Sequence, residues 1–375
     1  MRFSSLQFQM LASLTRRTLS TLPTTTPVAV TGASGYIGSY VCAELLARGF
    51  EVRAAVQTAE EASHLKLLPN ADKLHVVHGC DLDMPGSYDK AFNGAVGVIH
   101  TAAKVALGAS QSIVDISVTG TKNVLNSVDA NPSVTNYCHT SSCAAIQRYD
   151  VDLEHVFTEE DWNDWSTLKR GDGYGVAKTA AERVVHSHFA DPLDTRHSAA
   201  VNPNVAIGPV MTKQHSVASV LMLRDVIFGN KTMYFPASFV DVRDVAIGHV
   251  EALIRPEARK KRFILVGDAD PCDQRELARV AADIFPEWKF SAPARVHPSI
   301  VANLLVPLSH LPFVGGKIMS EFEREVSNLR RHYRYDNSEA RTVLGVDFRP
   351  LQVSVEDGVK SMVEQGFAKP RARSA

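Results

Sequence analysis

Three glycines separated by two residues each, in the segment TGASGYIG (residues 31–38), constrain the fold of this chain more than any other feature. The residues before them, Val28–Val30, form a short apolar run with β-branched side chains, which is typical of a buried strand. Over residues 37–47 the apolar side chains recur at helical spacing instead. A chain that passes from a buried strand through glycines into a helix predicts the first unit of a parallel α/β sheet.

The glycine spacing also predicts what the turn binds. Gly32, Gly35 and Gly38 have no Cβ, so the backbone can turn sharply and approach a ligand closely. The first N–H groups of the following helix lack partners within the helix, and its positive dipole end attracts phosphate. The spacing is GxxGxxG, because Ala33 stands where the commoner GxGxxG motif has its second glycine. Taken alone, the motif is also compatible with a glycine-rich loop that opens an ordinary helix.

Apolar runs and helical patterns alternate along the first half of the chain. The runs lie at 52–56, 74–77, 96–100, 134–138 and 199–202. This alternation predicts the α/β class with a doubly wound parallel sheet, which binds ligands at the carboxyl ends of its strands. After Gly208 the pattern becomes less regular, with more proline and aromatic residues.

A second motif, YGVAK at residues 174–178, carries side chains suited to proton transfer. Tyr174 and Lys178 are four residues apart, so a helix places them on one face. A tyrosine donates a proton near neutral pH only when its pKa is lowered from about 10, and a nearby ammonium has that effect. Thr140, Ser141 and Ser142 come earlier, at the end of a predicted strand, where a hydroxyl can donate to developing negative charge. Strand alternation alone does not decide between the two adjacent serines.

The order of the motifs resembles that of the extended short-chain dehydrogenases/reductases. The segments concerned are TGASGYIG (31–38), CDL (80–82), GVIHTAA (97–103), GTKNVL (120–125), HTSSCAAI (139–146), YGVAK (174–178) and FVDVRDVA (239–246). Three further segments resemble the dihydroflavonol-4-reductase-like branch, which includes ketone and aldehyde reductases: FTEEDW (157–162), KTAAE (178–182) and the tail at 335–366. The resemblance covers nearly the whole chain after its first 26 residues.

The resemblance implies a doubly wound parallel (Rossmann) sheet that binds NAD(P), with a smaller C-terminal α/β substrate lobe. The NAD(P)-binding domain is expected over residues 27–208, with residues 238–268 returning to it. The substrate lobe is expected to comprise residues 209–237 and 269–375.

The resemblance also implies roles for individual residues. The expected catalytic residues are Ser142, Tyr174 and Lys178. Tyr174 would donate the proton, Lys178 would assist it and hold the nicotinamide ribose, and Ser142 would hydrogen-bond the substrate oxygen. Asp81 is expected to bind the adenine amino group and Leu82 to pack on its ring. The expected cofactor-binding residues are Gly32, Ser34, Gly35, Tyr36, Ile37, Gly38, Arg53, Asp81, Leu82, Thr101, Ala102, Ala103, Tyr174, Lys178, Pro203 and Val205.

The choice between NADP and NAD depends on the end of the second strand. An acid there would hold the 2′-hydroxyl of NAD and repel the 2′-phosphate of NADP, but Val56 and Gln57 occupy these positions. Arg53 is a candidate ligand of the 2′-phosphate. Against this, Gln57 stands where the resembled branch commonly has arginine, and Glu60 and Glu61 follow closely. We predict NADP as the cofactor, with NAD as the alternative.

The composition is consistent with an enzyme that acts on a small molecule. A formal net charge of −1 and the lack of a dense basic run argue against nucleic-acid binding. The five cysteines include no CxxC pair, so neither a metal site nor a disulfide framework is expected, and a reducing compartment is favoured. Cys143 is either a redox-sensitive thiol or, as we expect, a small buried apolar residue.

No segment predicts a membrane span. Residues 299–314 are apolar, but proline and polar residues interrupt them well short of a spanning length. We interpret this segment as a cover for the substrate cavity, with a shallow membrane contact as the less favoured alternative. The expected partner is a small-molecule carbonyl or alcohol substrate, and the chain is expected to be a monomer or a homodimer.

The first 26 residues differ in composition from the rest. They contain Arg2, Arg16 and Arg17 and many hydroxyl side chains, and the first carboxylate of the chain is Glu44. This composition is typical of an organelle-targeting presequence, since a secretory signal requires a compact apolar region. We expect residues 1–26 to be a disordered mitochondrial presequence. A plastid or cytoplasmic location is the alternative.

Together these patterns predict an oxidoreductase that transfers hydride between NADP(H) or NAD(H) and a bulky or aromatic aldehyde or ketone, or the matching alcohol. A nucleotide-sugar epimerase or dehydratase and a 3β-hydroxysteroid-type dehydrogenase would use the same catalytic residues. A catalytically silent NAD(P)-binding regulatory protein is the alternative outside the enzymes, although the intact Ser142, Tyr174 and Lys178 argue against it.

Overall fold

The computed structural model of the protein describes residues 22–104, 110–152, 154–228, 236–267, 272–290, 333–367 and 369–372. Its centre is a sheet of seven parallel strands. These strands are β1 (Pro27–Thr31), β2 (Glu51–Ala55), β3 (Leu74–Val77), β4 (Gly97–His100), β5 (Asn136–Thr140), β7 (His197–Pro203) and β11 (Lys261–Leu265). The predicted α/β class and doubly wound parallel sheet are confirmed.

The strand order explains where a ligand can bind. Along the sheet the strands follow the order β11-β7-β5-β4-β1-β2-β3. The chain therefore builds the sheet outward from β1 to β3, and then returns to the other side of β1 with β4. Thr31 and His100 are paired at the ends of β1 and β4, where the chain leaves the two strands on either side of this reversal. A crevice at the carboxyl ends of the strands opens where the order reverses, and ligands of such sheets bind there.

Helices cover both faces of the sheet. They are α1 (Tyr36–Ala47), α2 (Asp89–Phe92), α3 (Gln111–Asp129), α4 (Gly173–His188), α5 (Ala218–Phe228), α6 (Val242–Ile254), α7 (Gln274–Ile284), α8 (Ser338–Thr342) and α9 (Leu351–Glu364). Successive residues of β1 point to opposite faces of the sheet, so they belong to two different parts of the core. Val28 and Val30 pack with α1 and α6, whereas Ala29 packs on the other face with residues of α3 and α4.

The remaining strands form three short pairs outside the central sheet. They are β8 (Val205–Ile207) with β10 (Phe239–Asp241), β9 (Pro236–Ala237) with β12 (Cys272–Asp273), and β6 (Val156–Phe157) with β13 (Arg334–Tyr335). Helix α9 packs against α5, α7 and β10. The apolar segment 299–314 lies outside the described residues. Within the described ranges, no helix has both the length and the apolar character needed to cross a membrane.

The observed strands differ from the predicted runs mainly at their ends. The predicted strand at 134–138 begins later, at Asn136, because Val134 closes a turn by donating its N–H to the Asn131 carbonyl, at 2.9 Å. Most of the predicted presequence, residues 1–21, lies outside the described residues. The predicted disorder does not extend over residues 22–26, since Leu22 is only 5% exposed and packs in the core over Gly97.

Candidate active site

The glycine turn between β1 and α1 packs directly against the loop after β4. Gly32 has a left-handed backbone with φ of +62°, and a Cβ there would lie 2.8 Å from the Cα of Ala102. A Cβ on Gly38 would collide with the Gly32 carbonyl oxygen and lie 2.8 Å from Thr101 Oγ1. The packing of the protein itself therefore requires these two glycines.

Gly35 is different, because a Cβ there would meet only the carbonyl oxygen of Gly32, at 3.2 Å. The residue is exposed and precedes α1, whose first turn has neither a side-chain cap nor an acid. Open space thus lies beside free backbone N–H groups and the positive end of the helix dipole. This cradle fits the diphosphate of a dinucleotide. Ser34–Gly38 would hold it, Tyr36 and Ile37 through their backbone, since the Tyr36 side chain is buried.

The loop Thr101–Ala103 is held against the glycine turn by hydrogen bonds. Thr101 Oγ1 donates to the Thr31 carbonyl at 2.6 Å, and the Ala102 N–H donates to Thr31 Oγ1 at 3.2 Å. Thr31 Oγ1 also lies 2.7 Å from His100 Nδ1. The loop residues therefore sit at the crevice between β1 and β4, where the sequence placed them.

Helix α4 carries the predicted catalytic pair into the same crevice. Its amino-terminal end is capped by Asp172, whose Oδ1 accepts the Gly175 N–H at 2.9 Å. Tyr174 and Lys178 are both half-buried, and Lys178 Nζ donates to the Thr140 carbonyl at 3.3 Å. One cavity brings together five of the predicted site residues, namely Leu82, Ala102, Ala103, Tyr174 and Lys178. Its lining includes Leu82, His100, Ala102, Ala103, Lys104, His139, Thr140, Tyr174, Ala177 and Lys178.

The two serines after β5 point to different environments. Ser141 is buried, and its Oγ donates to Glu182 Oε2 at 2.5 Å. Ser142 has an extended backbone, and its Oγ accepts the N–H of Ala144 at 3.1 Å, which leaves its own proton for another acceptor. Because the Ser141 hydroxyl is committed to Glu182, the geometry favours Ser142 as the donor to substrate.

Two buried histidines line the cavity beneath Lys178. Burial lowers the pKa of His100 to about 3, and the Lys178 ammonium adds to this effect. Burial and His100 lower the pKa of His139 well below its usual value. Both imidazoles are therefore neutral at physiological pH and add no cation to the site. Neither ring nitrogen of His139 has a hydrogen-bond partner among the described residues.

The side of the crevice that is expected to bind adenosine holds a lysine, Lys104, that the sequence did not indicate. Lys104 Nζ lies 3.1 Å from Asp81 Oδ1 and 2.5 Å from Asp83 Oδ2. The Asp83 N–H and Lys104 together lower the pKa of Asp81. Leu82 is buried and its carbonyl accepts from Asn123 Nδ2 at 2.8 Å, so the CDL segment is held firmly beside the cavity.

Arg53 does not reach this site, and its predicted role at the 2′-phosphate is wrong. It lies in the middle of β2, and its guanidinium donates to the carbonyl of Asn93, in the segment before β4. That segment is at the amino ends of the strands, opposite the glycine turn. The group that does approach the turn is Glu61, which accepts weakly from Ser34 Oγ at 3.4 Å.

Pro203 and Val205 lie one strand away from Ser142, at the end of β7 and the start of β8. Asn202, just before Pro203, donates from Nδ2 to the Ser142 carbonyl at 3.1 Å. Cys143 is fully buried and donates to the Asn202 carbonyl at 3.2 Å, and burial raises the pKa of its thiol. It is a buried apolar-type cysteine, as expected, and not a reactive thiol.

The arrangement can reduce a carbonyl or oxidise an alcohol. When bound, a nicotinamide dinucleotide supplies or accepts the hydride at the cavity. Tyr174 can give its phenolic proton to the substrate oxygen, and Lys178, fixed by the Thr140 carbonyl, faces the same space. Ser142 would add a fixed hydroxyl donor where negative charge develops on that oxygen.

Fold, glycine cradle and catalytic helix together define an NAD(P)-dependent oxidoreductase. The model of the NAD-dependent epimerase/dehydratase family matches residues 28–267. The chain belongs to this family, and its resemblance to the extended short-chain dehydrogenases/reductases is confirmed.

Similar proteins and structures fall within the dihydroflavonol-reductase-like branch. Cinnamoyl-CoA reductase 1 of Oryza sativa subsp. japonica is 29% identical over 345 residues, which cover 90% of this chain and 91% of the relative. Tetraketide alpha-pyrone reductase 2 of Arabidopsis thaliana is 29% identical over 274 residues, covering 70% and 83%. The solved structure of Gre2 with NADPH from Candida albicans has a TM-score of 0.73 at 24% identity, covering 91% of this chain and 99% of that one. At that identity the structural likeness shows the fold.

Proposed function

We propose that this protein is an NADP(H)-dependent reductase of bulky or aromatic aldehydes or ketones. The observation that carries the proposal is a single cavity at the carboxyl edge of the sheet. Tyr174 and Lys178 of α4 line it together with Leu82, Ala102 and Ala103 of the cofactor crevice. The relatives support the direction of the reaction, since both curated proteins described above are named as reductases.

The preference for a bulky substrate is supported by a cluster of three aromatic side chains, two of which belong to the segment that joins Ser142 to α4. Tyr149 and Trp165 pack with their ring centroids 4.7 Å apart, and Tyr333 lies edge-on to Tyr149 at 5.7 Å. Trp165 and Tyr333 are only half-buried, and the guanidinium of Arg170 stacks 4.5 Å from the Trp165 ring. Such surfaces favour flat apolar ligands. The name of the rice relative, cinnamoyl-CoA reductase, is consistent with this class of substrate.

The preference for NADP is supported by the lack of an acid at Val56 and Gln57, directly after β2. The similar structure of Gre2 was solved in complex with NADPH. Glu61 favours NAD instead, because its carboxylate next to Ser34 would repel the 2′-phosphate of NADP. We therefore expect NADPH to be preferred by a modest factor, about tenfold or less in kcat/KM.

The test is a panel of aldehydes and ketones followed through the absorbance of the reduced nicotinamide, with NADPH and NADH in parallel. We expect purified protein to contain little bound cofactor and to oxidise NADPH with aromatic carbonyls faster than with small aliphatic ones. A reductase must release oxidised cofactor in each cycle, so exchangeable binding is expected. Failure to oxidise either cofactor with any carbonyl would refute the proposal.

A nucleotide-sugar epimerase remains the alternative within the family, and the same preparation distinguishes it. Such an enzyme reuses its cofactor in place, so it would retain bound NAD and interconvert a UDP-sugar without net oxidation. Two arginines that follow Gly208, Arg224 and Arg243, do not favour this function. Arg243 is paired with Asp241 and Asp357, and Arg224 with Asp225, so neither is held ready for a sugar diphosphate.

We further propose that the amino-terminal segment is a mitochondrial presequence. Its arginines, its hydroxyl side chains and its lack of acids support this proposal. Because Leu22 packs in the core, processing is expected to leave a chain that begins at or before this residue. Mass spectrometry of the protein from isolated mitochondria tests this, and an intact Met1 on the protein in the cytosolic fraction would contradict it.

A further inference from the structure

A buried carboxylate continues the polar row on the catalytic helix. Tyr174, Lys178 and Glu182 follow one another at intervals of four residues on α4, so they lie on one helix face. The first two line the cavity, whereas Glu182 has no exposed surface. The reaction described above leaves Glu182 without a function. A carboxylate is costly to bury, so its partners indicate what it does.

Glu182 is held as an anion by the groups around it. Arg262 of β11 donates from Nε to Glu182 Oε1 at 2.6 Å, and His186 Nε2 lies 3.6 Å from the same oxygen. Burial raises the pKa of the carboxyl, but His186, Arg262 and Ser141 outweigh it and lower the pKa to about 2. Arg262 is itself fixed, because its guanidinium stacks 3.8 Å from the ring of Trp162.

The second oxygen of Glu182 organises the segment that carries Ser142. Oε2 accepts the Ser141 hydroxyl at 2.5 Å and Asn202 Nδ2 at 2.9 Å. The same Asn202 amide donates to the backbone carbonyl of Ser142 at 3.1 Å. Ser142 is thus restrained twice, by the anchoring of the preceding side chain and through its own carbonyl. Because adjacent side chains of an extended chain point to opposite sides, anchoring Ser141 towards Glu182 directs Ser142 away from it.

We infer that Glu182 is a positioning residue that sets the orientation of the Ser142 hydroxyl in the active site. One carboxylate on the catalytic helix connects the proton-donating face of α4 with the serine after β5. Tyr174, Lys178 and Ser142 then keep a fixed geometry relative to one another. The inference rests on the proposed function, since it assigns Ser142 to the reduction of a carbonyl.

The test is Glu182→Gln, analysed alone and in a Ser142→Ala background. The amide has the same size, but it cannot accept on both sides, so either Arg262 or the Ser141–Asn202 pair loses its acceptor. We expect kcat to fall by about tenfold or more, with the KM and the binding of NADPH within about twofold of wild type. In the Ser142→Ala background the same change should have no further effect, because the group through which it acts has been removed.

Two further variants separate positioning from stability. Glu251→Gln is the matched control: Glu251 is also a buried helix glutamate, bound by Arg48 at 2.8 Å and by Arg255 at 2.5 Å, but remote from the cavity. It should lower thermal stability comparably and leave kcat unchanged. If Glu182→Gln does not fold, Ser141→Ala replaces it, since that change leaves the Glu182–Arg262 pair intact and should lower kcat by about threefold or more.

The inference is overturned if Glu182→Gln retains more than about half of the wild-type kcat. It is also overturned if Glu182→Gln, or Ser141→Ala in its place, lowers the residual rate of Ser142→Ala by the same factor as that of wild type. Wild-type protein without any carbonyl-dependent turnover would refute the proposed function, and the inference with it. The two failures are distinguishable, because a failure of the proposed function appears already in the wild-type protein, whereas a failure of the inference appears only when the variants are compared with an active wild type.

Discussion

At the scale of single residues, the three glycines of the turn have different tasks. Gly32 and Gly38 have no room for a Cβ, because protein atoms lie too close. Gly35 faces open space at the amino-terminal end of α1, and a Cβ there would approach one backbone oxygen only. We therefore expect the missing side chain to serve the ligand at Gly35 and the fold at Gly32 and Gly38.

This difference predicts that the same substitution, glycine to alanine, has different effects at Gly35 and at Gly38. Gly35→Ala should weaken NADPH binding by about tenfold or more, since the methyl group occupies the diphosphate cradle, and should change stability by about 1 kcal/mol or less. Gly38→Ala should instead lower the free energy of unfolding by about 2 kcal/mol or more. Fluorescence titration with NADPH and thermal denaturation of both variants measure the two effects. Equal losses of stability would contradict the division of tasks.

Tyr174→Phe addresses the proton donor. The phenyl ring keeps the packing of the first turn of α4, so the binding of cofactor should be nearly unchanged. Without the hydroxyl proton, kcat should fall by about 10² or more.

Lys178→Ala should lower both kcat and cofactor affinity, because the ammonium faces the cavity where the ribose is expected. Steady-state kinetics with cofactor titrations separate these outcomes, and a Tyr174→Phe enzyme above a tenth of wild-type kcat would rule out the assignment.

At the scale of elements, the amino-terminal cap of α4 holds the turn that carries Tyr174. Asp172 caps the helix through the Gly175 N–H and accepts the hydroxyl of Ser166 at 2.6 Å. Tyr174 lies in this first turn, so its position depends on the cap. A Cβ on Gly175 would lie 2.5 Å from Asp172 Oδ2, so the turn has no space to rearrange.

We therefore predict that Asp172→Ala costs about 1 kcal/mol of stability, as the loss of a helix cap does, and also lowers kcat. Asp172→Asn keeps an acceptor for the Gly175 N–H and should recover most of both. Thermal denaturation and kcat, measured side by side, test the prediction. A variant that loses stability but keeps full kcat would show that the cap does not position Tyr174.

The elements also show what sequence patterns can and cannot predict. The glycine turn, the parallel strands and the pair Tyr174/Lys178 follow from local spacing, so they could be predicted. The spacing of four residues from Lys178 to Glu182 was visible too, but nothing local shows that Glu182 is buried. Arg262 bonds to Glu182 across 80 positions of sequence. Likewise, the direction of the Arg53 side chain depends on the loop before β4, which lies far away in the sequence.

At the scale of the whole molecule, the described interior contains several imidazoles that are neutral at physiological pH. Burial lowers the pKa of six described histidines: His64, His100, His139, His197, His215 and His249. For His215 and His249 the pKa falls to about 4. These side chains are distributed over both faces of the sheet, so their ionisation concerns the global fold.

The pH dependence of stability follows from these shifts. Below a pH of about 6.5 these histidines bind protons in the unfolded chain but stay neutral in the folded chain. Each histidine that is protonated only in the unfolded chain lowers the free energy of unfolding by about 1.4 kcal/mol per pH unit. Stability should therefore be fully present above pH of about 6.5 and be lost progressively as pH falls towards about 4. Burial raises the pKa of Asp244 to about 6 and also raises the pKa of Glu159, so these two carboxyls oppose the trend. Thermal denaturation across this range tests the prediction, and an unchanged Tm between neutral and acidic pH would contradict it.

The position of Leu22 places the start of the described chain at the edge of the sheet opposite the active site. Leu22 packs over Gly97, the first residue of β4, so the described chain enters the fold at the amino ends of the strands. The cavity lies beyond the carboxyl ends. The length of the parallel strands therefore separates the anchor of Leu22 from the groups that line the cavity. The sequence at the entry end can vary, within the limits of packing against Gly97, without altering those groups.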